Sequence, residues 1–166
     1  MKKAIIIAAA VLLSLPVVAQ QRKVEGKGEE YHHAMYLNFK HAAEEAEALY
    51  NQTGLNRELN LEIARQHVDE LWTSLDNARI QHAMVHKTYG EQQSTLVAEN
   101  HESLLNAHDK ALEAGKLLKT EIEKGKPDVK VVREQSVTVY QMAIKAATEH
   151  LEGMKKLGIP PMKIAS

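Results

Sequence analysis

Nine histidines in a chain of 166 residues, with no cysteine, make imidazole the main metal-binding chemistry on offer. Five of them, His32, His82, His101, His108 and His150, fall where a helical repeat turns a side chain inward. A packed core wants Leu, Ile, Val or Ala there, and a buried imidazole must find a partner for each ring nitrogen. Several imidazoles at one level have a common solution, an ion that accepts a lone pair from each.

Levels can be read from the connections between helices, since residues equally far from a short turn lie side by side. With turns near Leu55, Gly90 and Lys126, His32 is level with about Ala78, Glu102 and His150. His101 falls within about one residue of that level, and His82 about one turn nearer the second connection, an offset of roughly 6 Å. His86 follows His82 at the i+4 spacing that puts two side chains on adjoining helix surface. The candidate metal ligands are therefore His32, His82, His86, His101 and His150. His108 sits two turns beyond His101, about 10.5 Å away, and would serve a second site, a supporting contact or a hydrogen bond across the core.

Met35 and Met154 each lie within a turn of an inward histidine. Thioether beside imidazole leans toward copper, while imidazole alone binds both copper and zinc. His41 and His67 flank the inward stripes, where a surface pair is the simpler reading. Gly115 and Gly153 stand on inward positions and would let helices approach closely.

The elements that must position these residues are all helical. Ala, Leu, Glu, Lys and Gln dominate, and apolar residues recur at i, i+3, i+4, i+7 for most of the chain. The spacing predicts helices over residues 29–52, 57–89, 92–124 and 127–157, ended by Gly54, Gly90, Gly125 and Gly158. Asn56 is the expected cap of the second, while Pro127 is expected in the first turn of the fourth with Asp128 beside it. Leu71, Leu75, Leu104, Leu118 and Val139 should fill the core, and Val129 should also face inward. The fold class is all-α, an antiparallel up-down-up-down four-helix bundle.

Ahead of the bundle, Met1-Lys2-Lys3, an apolar run from Ala4 to Leu15 and Val17-Val18-Ala19 have the form of a secretory signal peptide. The expected organisation is a signal over residues 1–19, a polar leader over 20–28, the bundle over 29–158 and a tail over 159–166. This implies a periplasmic or secreted protein without stable membrane insertion of the mature chain. Removing residues 1–19 takes two lysines from 21 basic side chains and none from 22 acidic ones, leaving a net charge of −3 with histidine neutral. So balanced a surface, without a Lys/Arg block, is not built for nucleic acid. With no cysteine, thiolate ligands, disulfides and covalently attached c-type haem are excluded.

Three readings follow. The first is exported copper or zinc handling through the histidine cluster. The second is a haem b protein for electron transfer or sensing. The architecture resembles periplasmic four-helix cytochromes of the b562 type, which hold haem between a Met near the start and a His near the end, and that resemblance implies Met35 and His150 as axial ligands. The third is a cofactor-free envelope interaction or stress module, with histidines as packing or a pH-sensitive element. A protein partner or a homodimer is compatible with all three. The inward-facing Glu and paired Glu-x-x-His set of di-iron carboxylate bundles, the His-Glu-x-x-His motif, a defensible Ser-His-Asp order and a glycine-rich phosphate loop are missing, and no carboxylate is expected to face the cluster. No catalytic residue is assigned.

Overall fold

A computed structural model describes residues 28–54, 58–89 and 95–160. The signal-peptide segment, residues 20–27 of the leader and residues 161–166 of the tail lie outside them, as does Asn56. Four long helices run in chain order: α1 Glu29–Gln52, α2 Leu61–Tyr89, α3 Ala98–Glu123 and α4 Val129–Lys156. Each packs on two neighbours, α1 on α2 and α4, and α3 on α2 and α4, closing a four-helix ring. Direction alternates: the start of α1 meets the end of α4 through His33 and Pro160, while His82 near the end of α2 meets His101 near the start of α3. No helix among the described residues is long and apolar enough to cross a membrane.

The helices start and stop for local reasons. Asn60 caps α2, its side-chain oxygen accepting from the backbone N–H groups of Glu62 and Ile63, so the helix begins four residues later than the periodicity suggested. Asp128 caps α4 by accepting from the Lys130 N–H. Pro127 consequently precedes the cap instead of occupying the first turn, and Val129 is 38 % exposed where an inward position was expected. Gly125 turns the chain between α3 and α4 at φ +71°, a left-handed conformation that favours glycine.

The core is one continuous cluster. Phe39 and Leu49 of α1, Leu71 and Leu75 of α2, Leu104 and Leu118 of α3, and Val139 of α4 are all buried. Three alanines of α1 and three of α4 fill further inward positions, beside Met35 and Val132. Gly115 permits a close approach: a Cβ there would stand 3.2 Å from Leu71 Cδ2. Gly153 has a different role from the one expected, because its Cβ would meet Val97 only at 3.9 Å, an ordinary contact.

Candidate metal centre

The apolar packing fades toward the end of the bundle where α1 and α3 begin and α2 and α4 finish. His82 and His86 occupy successive turns near the end of α2, and His101 lies in the first turn of α3. Their Nε2 atoms form a triangle: His82 to His101 2.8 Å, His86 to His101 2.8 Å and His82 to His86 3.2 Å. The rings of His82 and His101 stack at an interplanar angle of 19°, and His86 stands on edge to both. His82 and His101 are half-buried and His86 is exposed, so the triangle can be reached from solvent.

Hydrogen bonding alone cannot satisfy this triangle. An imidazole Nε2 is either an N–H donor or a lone-pair acceptor, and three atoms with two roles must put two alike. At least one of the three close contacts therefore sets donor against donor or acceptor against acceptor. Protonation only turns acceptors into donors and removes no conflict. A cation does remove it, because all three nitrogens then present lone pairs to one point. An ion bonded at about 2.0–2.1 Å with tetrahedral angles needs nitrogens about 3.3 Å apart, so the triangle fits after opening by no more than about half an ångström.

Electrostatics favour the lone-pair state. Burial, with the neighbouring imidazoles of His86 and His101 adding to it, lowers the His82 pKa from 6.5 to about 4. Burial and then His86 also lower that of His101. Both rings are ready ligands at neutral pH.

The triangle borders a cavity of ≈ 60 Å³. His32 and His150 line it too, but they pair with each other: their rings stack with centroids 5.1 Å apart, and His150 Nε2 donates to the His32 backbone carbonyl at 2.9 Å. Burial is the main reason their pKa values fall, to about 4 for His32 and about 3 for His150. His108 stands apart in the core, where its Nε2 donates to the Leu75 carbonyl at 2.9 Å and its ring lies edge-on to Phe39. That is the cross-core hydrogen bond among the roles its position allowed.

Glu149 corrects one expectation, since a carboxylate does line the cavity. Its oxygens accept from Asn100 Nδ2 and Ser103 Oγ, both at 2.8 Å, and these bonds hold its carboxyl below the usual range. Asn100 also donates to Glu152 and accepts from Lys156, so a polar strap ties the start of α3 to the end of α4 beside the histidines. The sequence carried a trace of this strap, with Asn100 and Ser103 three apart on one helix and Glu149 and Glu152 three apart on another. Spacing within a helix could not say that the two pairs meet.

A second group lies farther along the α1–α2 face, where ligand atoms of His41, Glu45 and Glu70 come within 4.8 Å of one another. His41 Nδ1 is hydrogen-bonded to Ser74 Oγ at 2.9 Å, and Glu45 pairs with His67. His41 is exposed, and this group belongs to a surface network across two helices in which each of its members is hydrogen-bonded to a residue outside the group: Ser74, His67 or Gln66. Compared with models of known families, with curated proteins and with solved structures, the chain matches none.

Proposed function

We propose that this chain binds a transition-metal ion, copper or zinc, through His82, His86 and His101, and that it handles such ions outside the cytoplasm. One observation carries the reading: three Nε2 atoms within 3.2 Å of one another cannot all be joined by hydrogen bonds, and a single cation would take a lone pair from each. Three protein ligands beside a cavity leave a further coordination position for water, a fourth side chain or a receiving partner. Partial exposure of the triangle suits an ion that must enter and leave. The extracytoplasmic placement rests on the signal-like composition of residues 1–19.

Haem b is the weaker reading on volume. A cavity of ≈ 60 Å³ lies far below the roughly 300–1,000 Å³ of pockets that enclose organic ligands. The His150 Nε2 that would face haem iron is engaged with the His32 carbonyl.

Calorimetric titration with Cu(I), Cu(II) and Zn(II) tests the proposal on the wild type and on His86→Ala, His101→Ala and His67→Ala. Tight binding with one ion per chain is expected for the wild type and His67→Ala. Either triangle variant should weaken it at least about tenfold. Equal, weak binding by all four proteins would reduce the triangle to surface histidines.

A further inference from the structure

The cavity beside the triangle has a chemical bias that goes beyond metal binding as such. Met35 of α1 and Met154 of α4 both line it, at 1 % and 2 % exposure. The rest of its wall is largely apolar, from Val85, Val97, Leu104 and Leu157. Both oxygens of its one lining carboxylate, Glu149, are occupied by Asn100 and Ser103, on the strap that also holds Lys156. An ion here would have three imidazoles as ligands and two thioethers lining the adjoining cavity, with both oxygens of the one lining carboxylate already hydrogen-bonded.

Two physical effects then select among ions. Thioether sulfur is a soft, polarizable donor that binds Cu(I) and contributes little to Zn(II), which prefers imidazole, thiolate and carboxylate. Imidazole and thioether ligands carry no charge, which leaves Glu149 as the one anionic lining group among the described residues, enough to balance a single positive charge and not two. The desolvation cost grows with the square of the ion's charge, which penalises a divalent ion more than a monovalent one. We propose that the ion taken at this site is monovalent copper, held by the imidazoles of His82, His86 and His101, with the thioether of Met35 or Met154 as the ligand from the cavity side. This deepens, and rests on, the triangle reading above.

Sulfur ligation separates the proposal from a triangle that binds any borderline metal. The purified protein would be loaded anaerobically with Cu(I) against a chromophoric Cu(I) chelator, and separately with Zn(II). The copper shell would then be read by X-ray absorption. Expected are displacement of Zn(II) by equimolar Cu(I) and a sulfur scatterer in the Cu(I) shell. In the Met35→Leu/Met154→Leu double variant the sulfur should vanish and Cu(I) binding weaken at least about tenfold, while Zn(II) binding stays within about twofold. A thermal melt of the double variant checks that its core survives the near-isosteric exchange.

A wild-type shell of nitrogen and oxygen alone, or failure of Cu(I) to displace Zn(II), would overturn the copper proposal while leaving the triangle intact. Equal weakening of both metals in the double variant would do the same, by showing the methionines to be packing only. If the wild type binds neither metal, the triangle reading falls and the copper proposal with it.

Discussion

Acid should unfold the metal-free protein at a pH where most small bundles are still stable. His32 and His150 are 3 % and 5 % exposed, and burial holds their pKa values at about 4 and about 3 against an ordinary 6.5. Between pH 6.5 and about 4 the unfolded chain therefore binds a proton at each site that the folded chain refuses. Stability must rise with pH across that window and fall as pH drops through it. Each such histidine costs about 1.4 kcal/mol per pH unit, so moving from pH 7.5 to pH 5.5, one unit below the unfolded value, should remove about 3 kcal/mol for the pair. His82, also lowered to about 4, acts in the same direction, which makes that figure a floor. Against a typical total of roughly 5–15 kcal/mol, this is a large loss. The assay is urea unfolding followed by far-ultraviolet circular dichroism at both pH values, with a chelator present so that ion binding does not contribute. His150→Gln keeps an N–H donor for the His32 carbonyl and removes one titrating group, so it should lower the loss by about 1.4 kcal/mol. Equal stability of the wild type at the two pH values, or an unchanged loss in His150→Gln, would refute the argument that these rings fold only in the neutral form.

Three further outcomes test other parts of the structure. Leu104 is 3 % exposed, and Leu104→Ala should cost about 2–5 kcal/mol in denaturant unfolding; a cost below about half a kcal/mol would mean the α3 register is wrong. Asp128→Ala removes the side-chain acceptor for the Lys130 N–H and should cost about 1 kcal/mol, with little change if Asn is used instead. Gly125→Ala meets no atom within 4 Å but must adopt φ +71°, so it should lose about 1 kcal/mol through backbone strain alone, and a neutral result would show the turn to be free to change shape.

Much of the fold was readable because helical periodicity is a local property. The spacing of Phe39, Ala42, Ala46 and Leu49, or of Leu71, Leu75 and Ala78, identifies an inward stripe without reference to any other helix. Helix starts were less legible. Asn56 and Asn60 are chemically equivalent cap candidates in the sequence, and it is the bonds from the Glu62 and Ile63 N–H groups that identify Asn60 as the cap of α2. Val129 has the right residue type for a core position, yet as the first residue after the Asp128 cap it is left 38 % exposed.

The chemistry divides along the same line. By itself the sequence determined which helix faces carry imidazoles, that no thiolate can take part, and that His82 and His86 share adjoining turns, because composition and the 3.6-residue period require nothing beyond the chain. Only the tertiary structure decided which rings meet. Levels counted from the turns put His32, His101 and His150 together and left His82 a turn away, but side chains reach across that offset, and His82 and His101 close to 2.8 Å. Backbone carbonyls, invisible in any residue pattern, engage His150 and His108 through their Nε2 atoms, while His86, on the exposed edge, turns inward to complete the triangle. Burial then holds His82 neutral, and that property belongs to the packed bundle, since desolvation exists only after the helices have come together.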